Sequence, residues 1–142
     1  MLNLHGSGVA LITPFDKKNN INYNKLEELI EFDIKNNTDF IVPCGTTGES
    51  SSLSNSEKKK IINFTVKATK KRVPVVAGTG SNNTKIAIAM SKYAKIAGAD
   101  AVLVVTPYYN KTNQEGLYIH YQKIAKAIYP LPLVIYNVPS RT

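Results

Sequence analysis

Short apolar runs rich in β-branched residues alternate along this chain with longer stretches whose apolar positions recur at helical spacing. The first run, Val9 to Ile12, stops at Thr13-Pro14 and reads as a strand buried on both faces. After a polar turn, Leu26, Leu29, Ile30 and Ile34 fall at i, i+3, i+4 and i+8, the stripe of an amphipathic helix. Asn22 suits its N-cap and Asn36-Asn37 its stop. The same unit then repeats. Phe40-Ile41-Val42 precedes Ser54-Asn55-Ser56-Glu57, which has the spacing of a capping box. The helix it opens carries Ile61, Phe64, Thr65, Val66 and Ala68 near one side and ends before Val73-Pro74. Val75-Val76-Ala77 is followed by a helix from Thr84 with Ala87, Met90, Ala94 and Ala97 inward, and Gly98 suits its C′ position. Ala101 to Val105 is the clearest strand; a helix striped by Leu117, Tyr121, Ile124 and Ile128 leads to a fifth strand, Leu133-Val134-Ile135.

Strands and helices alternating at intervals of about 30 residues have the size of βαβ units and call for a parallel sheet. Two architectures compete. A doubly wound sheet prefers a phosphate fingerprint after its first strand, whereas Gly78-Thr79-Gly80-Ser81-Asn82-Asn83 follows the third and lacks the last glycine. In a (β/α)8 barrel, functional groups gather at the C-terminal ends of several strands. Thr13, Thr46, Thr47, Thr79, Thr106, Tyr108, Tyr109 and Tyr136 all fall at such ends, which favours the barrel. A complete barrel takes about 250 residues and eight strands. Residues 1–142 are therefore expected to form one incomplete TIM-barrel domain of five strands and four helices, with unpaired edges.

Composition narrows the function classes. Of the 142 residues, 43% are hydrophobic and 20% charged, as in a soluble globular protein, and no apolar run approaches the roughly 20 residues that span a bilayer. The first residues show neither a basic nor an apolar signal region, so a cytoplasmic location is expected. One cysteine makes no intrachain disulfide, and two histidines offer no clustered metal-ligand spacing. The net charge of +8 raises nucleic acid as a partner, but the lysines are spread over several helices, which reads as solvated faces.

The stretch Cys44-Gly45-Thr46-Thr47-Gly48-Glu49-Ser50 carries the candidate chemistry. Glycines on both sides of a threonine pair permit a sharp turn and a close ligand approach, so that amide N–H groups and hydroxyls can converge on a small carboxylate or phosphate. Loops of this composition also serve as plain connections from strand to helix. Tyr109 and Tyr136 offer phenolic O–H groups suited to proton relay, although tyrosines at a rim also serve simply as packing residues.

Gly45-Thr46-Thr47-Gly48-Glu49-Ser50, Ala77-Gly78-Thr79-Gly80-Ser81-Asn82, Val105-Thr106-Pro107-Tyr108-Tyr109-Asn110-Lys111, Gln114-Glu115-Gly116-Leu117 and Tyr136-Asn137-Val138-Pro139-Ser140-Arg141-Thr142 together resemble the dihydrodipicolinate synthase family, in order and along the whole chain. The resemblance implies a (β/α)8 barrel and a class I aldolase that condenses pyruvate with aspartate semialdehyde on the route to lysine. It implies that Thr47 binds the pyruvate carboxylate, that Thr46, Tyr136 and Tyr109 relay protons, and that Arg141 pairs with the carboxylate of the semialdehyde. It further implies that Tyr109 reaches in from a neighbouring subunit of a homo-oligomer, a dimer of dimers. No cofactor is implied; the Schiff-base lysine of the family lies on the sixth strand, beyond Thr142. Two alternatives stay open: an N-acetylneuraminate lyase-type pyruvate aldolase, which typically has Ser-Thr where this chain has Thr46-Thr47 and lacks the arginine, and a non-catalytic half-barrel that associates with itself or with a C-terminal half.

Overall fold

Local hydrogen bonds fix where the helices begin, and they follow the capping residues closely. In the computed structural model, which describes residues 2 and 4–142, the Asn22 side chain accepts from Lys25 N–H at the start of α1 (Tyr23–Lys35). Ser54 and Glu57 close both halves of a capping box on α2 (Asn55–Thr69). Asn83 accepts from Lys85 and Ile86 N–H ahead of α3 (Thr84–Ala97), and Asn113 accepts from Gly116 N–H ahead of α4 (Gln114–Ile128). Each such bond satisfies a donor that the first helical turn leaves without a partner. Gly98 ends α3 at φ +93°, a conformation that favours glycine.

The strands are β1 (Gly8–Ala10), β2 (Phe40–Val42), β3 (Val76–Gly78), β4 (Ala101–Val105) and β5 (Leu133–Tyr136). β1 runs parallel to β2, β3 to β4 and β4 to β5, with Gly8 opposite Phe40, Val76 opposite Ala101 and Val102 opposite Leu133. A parallel bridge between Ile41 and Val75 joins β2 to β3, so the strands follow one another in chain order. The main core, including Leu26, Ile30, Ile41, Ile61, Ile62, Ala77, Val102, Val104, Ile124 and Ile128, fills the space between the sheet and all four helices. The opposite face carries a smaller cluster of Val42, Val76 and Ala101 with the half-buried Leu2, Leu4, Phe40, Leu103 and Val134. Sequential parallel strands with every helix on one face make a (β/α)8-barrel segment; a doubly wound sheet reverses its strand order and carries helices on both faces.

Three expectations change. β1 covers Gly8–Ala10 rather than Val9 to Ile12, and it is not buried on both faces: Leu11 is buried against the helices, whereas Ala10 and Ile12 are exposed. Leu11 lies on the helix side of the chain and Ile12 does not, and side chains alternate faces at each step of an extended segment. β3 begins at Val76, Val75 making the bridge to β2. The buried stripes also shift: Ile62 and Thr69 join the buried residues of α2 while Phe64 and Val66 are half-buried, and His120 replaces Leu117 and Tyr121 as a buried residue of α4.

Candidate active site

The C-terminal ends of β2, β3, β4 and β5 converge on one cavity of about 550 Å³. The β2 loop supplies Cys44, Gly45, Thr46, Thr47, Ser50 and Ser51; Gly78 and Gly80 follow β3; Leu103 and Val105 come from β4, with Tyr108 beyond it; Tyr136 ends β5, and Ser140, Arg141 and Thr142 follow. Period-2 alternation explains the apolar wall: Leu103 and Val105 face inward while Val102 and Val104 sit in the helix-side core. Among the described residues that line this space Arg141 is the one charged group, so the cavity favours an anion.

The threonine loop owes its shape to its neighbours more than to its glycines, contrary to the sequence expectation. Cys44 and Glu49 take the left-handed conformation, at φ +58° and +55°, and Gly45 and Gly48 do not. Glu49 N–H donates to the Thr46 carbonyl at 3.0 Å and Ser50 N–H to the Gly45 carbonyl at 3.4 Å, which folds the loop back on itself. The glycines serve by lacking a side chain. A Cβ on Gly48 would come 2.9 Å from the Leu11 carbonyl oxygen, and one on Gly78 would come 2.2 Å from the Cys44 carbonyl oxygen, whereas one on Gly45 would meet nothing within 4 Å. Gly78 therefore lets β3 approach the loop, and Gly45 leaves open space above it.

The strand-end hydroxyls divide into two groups. Thr13, Thr79 and Thr106 are buried. Thr13 Oγ1 donates to the Gly48 carbonyl at 2.7 Å, Thr79 Oγ1 shares a hydrogen with Ser91 Oγ at 2.8 Å, and Thr106 Oγ1 donates to Asn137 Oδ1 at 3.2 Å. These three hold loops to strands and helices. Thr46, Thr47 and Tyr136 instead line the cavity. The Tyr121 phenol, its pKa pushed up to about 12 by burial, is engaged by the Val104 carbonyl at 3.2 Å on the helix side. Burial likewise pushes the Cys44 thiol up to about 12, so it stays protonated and unreactive as a nucleophile.

Thus Thr46, Thr47, Tyr136 and Arg141 are brought together, and Tyr109 is not. Tyr109 is 95% exposed, lies outside the cavity lining and sits at φ +70° in a three-residue turn closed by Asn110 N–H to the Tyr108 carbonyl at 3.0 Å. An aromatic residue with positive φ at the centre of a γ-turn is strained. Asn82 Nδ2 steadies this turn through the Tyr108 carbonyl at 3.3 Å. The apolar wall from Leu103 and Val105 lies outside the site residues expected from sequence, although strand alternation marks it. Among the described residues there is no group of three His, Cys, Asp or Glu side chains suited to a metal ion, and no helix long and apolar enough to cross a membrane.

Comparison with known proteins gives the same picture along the whole chain. A 4-hydroxy-tetrahydrodipicolinate synthase of Lachnoclostridium phytofermentans is 60% identical over 137 residues, covering 96% of this chain and 46% of that protein. The crystal structure of a chloride-inhibited dihydrodipicolinate synthase from Acinetobacter baumannii, complexed with pyruvate, superposes with a TM-score of 0.95 at 50% identity, over 99% of this chain and 48% of the other. A structure described as a monomeric dihydrodipicolinate synthase variant matches with a TM-score of 0.91 at 39% identity, over 96% of this chain and 45% of the other. The chain spans about half the length of the relatives it matches. The model of the dihydrodipicolinate synthetase family matches residues 3–142, and with the parallel barrel segment and the threonine loop at its strand ends, the chain belongs to that family.

Proposed function

We propose that the cavity is the pyruvate seat of a class I aldolase that condenses pyruvate with L-aspartate 4-semialdehyde to 4-hydroxy-tetrahydrodipicolinate. The observation that carries this reading is the convergence of the Thr46-Thr47 loop, Tyr136 and Arg141 on a single space whose one charged lining residue is a guanidinium. In this reading the Thr47 hydroxyl and neighbouring amides bind the keto-acid carboxylate, charge-assisted hydrogen bonds being the stronger kind. A lysine amine adds to the pyruvate carbonyl, water leaves to form an imine, and loss of a C3 proton gives the enamine that attacks the aldehyde carbon. Thr46, Tyr136 and Tyr109 carry the protons that these steps release and consume. Arg141 pairs with the carboxylate of the second substrate, a task for a planar bidentate donor.

Two parts of this scheme come from outside the cavity described above. None of its lining residues is a lysine, so the amine is assigned to the portion of the barrel that the longer relatives possess. Tyr109, exposed and outside the lining of its own cavity, is assigned to the site of a neighbouring copy in a homo-oligomer.

The test is a titration of the 15N-labelled chain with pyruvate. Saturable shifts of the Thr46 and Thr47 amides are expected, and T47V should weaken the response roughly tenfold, the worth of a hydrogen bond to a charged group. A flat response at both threonines overturns the reading.

A further inference from the structure

Asn137 is not itself a lining residue of the cavity, but its side chain joins buried Thr106 to Thr142, which is one. Asn137 Oδ1 accepts from Thr106 Oγ1 at 3.2 Å and from Thr142 Oγ1 at 2.9 Å, joining the buried end of β4 to a residue five positions further along its own segment. The Thr142 hydroxyl also reaches the Val138 carbonyl at 3.0 Å, so one proton is shared between two acceptors. Turned over, the amide would offer its two N–H groups to the same two hydroxyls, and the connections would be unchanged. Backbone bonds complete the loop: Thr106 N–H donates to the Tyr136 carbonyl at 2.9 Å, and Arg141 N–H to the Val138 carbonyl at 2.8 Å. Of the lining residues this segment supplies, Tyr136 immediately precedes Asn137, and Arg141 lies within the loop that the Asn137–Thr142 contact closes.

The geometry points to Asn137 as a positioning residue that clamps residues 137–142 to β4 and so holds the Tyr136 phenol and the Arg141 guanidinium toward one ligand. β5 pairs with β4, and the Asn137 side chain adds a tie to the same neighbour just beyond that pairing. A long arginine side chain also loses substantial rotamer freedom on being held in place, so a backbone anchored beneath it reduces what binding must still order. This inference rests on the proposed keto-acid site for its purpose, but not for the existence of the clamp.

The experiment separates the two on the 142-residue chain. Amide hydrogen exchange without ligand reads the clamp itself. In N137A the Thr106 and Arg141 amides should exchange about tenfold faster, as expected when one or two supporting hydrogen bonds are lost, while the Ile62 and Ala87 amides keep their protection. The acceleration should vanish when N137A is placed in a T106V/T142V background, because the partners are already gone. Unchanged exchange in N137A, or an equal effect in that background, overturns the clamp. Titration with both substrates then reads its purpose. The wild-type Arg141 side-chain N–H signal should shift when L-aspartate 4-semialdehyde is added to the pyruvate-saturated chain, and in N137A that shift should be lost while the Thr46 and Thr47 amides still respond to pyruvate. An Arg141 response as large in N137A as in the wild type overturns the positioning role, whereas threonines silent in the wild type overturn the keto-acid reading and leave the exchange result to decide the clamp.

Discussion

At the scale of single residues, two glycines near the same loop have opposite demands. Gly78 admits no side chain, since a Cβ would lie 2.2 Å from the Cys44 carbonyl oxygen, a backbone atom that cannot rotate away. G78A should therefore lower stability by about 2 kcal/mol or more, in line with overpacking of a filled interior. Gly45 has open space around its missing Cβ, so G45A should stay within about 0.5 kcal/mol of wild type yet weaken the pyruvate response, because the added methyl enters the space above the threonine loop. Urea midpoints of the two variants, set beside pyruvate titration of G45A, check both outcomes. Of the two reasons the sequence offers for Gly45 and Gly48, a sharp turn and room for a ligand, the turn belongs to other residues, and the open space at Gly45 accords with the room. It is Cys44 and Glu49 that adopt positive φ, and nothing in the order of residues reveals that, because a left-handed cysteine is tolerated only where surrounding contacts enforce it.

At the scale of elements, α4 is held to α3 through a buried polar contact. His120 is 4% exposed, its Nδ1 lies 2.9 Å from Thr84 Oγ1, and its ring meets Tyr121 edge to face. Nε2 is buried with no hydrogen-bond partner among the described residues. Burial pushes the His120 pKa down, since the protonated ring would be charged in an apolar setting. The sign follows from proton uptake. The unfolded chain, with its histidine near about 6.5, binds the proton more readily than the folded one. The contribution of His120 to stability is thus fully present above about pH 6.5 and is lost as the pH falls from there through the lower folded-state value. Denaturation midpoints should drop between pH 7.5 and pH 5, and H120Q should flatten that drop at some cost in stability at pH 7.5. An equal drop in both proteins would show that other groups set the acid limb. The capping residues of α1 and α2 are legible in the sequence and that of α3 falls within one residue of the expected start, because a cap is a contact between near neighbours in sequence. The burial of His120 is not legible there, because it depends on Thr84, 36 residues away.

At the scale of the whole molecule, the lysines of the helices and the cavity are kept apart. Lys59, Lys60 and Lys67 on α2, Lys85, Lys92 and Lys95 on α3, and Lys123 and Lys126 on α4 are exposed on helices that cover the outer face of the sheet, while the cavity opens at the strand ends and is lined by no lysine. A lysine that forms an imine at neutral pH needs a lowered pKa from a desolvated or cationic setting close to the carbonyl. Borohydride added with pyruvate should therefore leave the intact mass of this chain unchanged; a reduced adduct on one defined lysine would overturn the assignment of the amine to the remainder of a longer barrel.

The sequence by itself determined the alternation of strands and helices, the helix caps, the strand ends that carry hydroxyl groups and the family, because hydrophobic period, capping and motif spacing are all written in near neighbours. The barrel segment expected from the strand-end residues is borne out, while the strand register and the placing of helices on one face appear only in the tertiary structure. That structure also decided which hydroxyls face the cavity: Thr46, Thr47 and Tyr136 line it, whereas Thr13, Thr79 and Thr106 are taken up by Gly48, Ser91 and Asn137. The reason is that a hydroxyl at a strand end is free or engaged according to which distant segment packs beside it. Those partners lie 35, 12 and 31 residues away along the chain, and only folding brings them within reach.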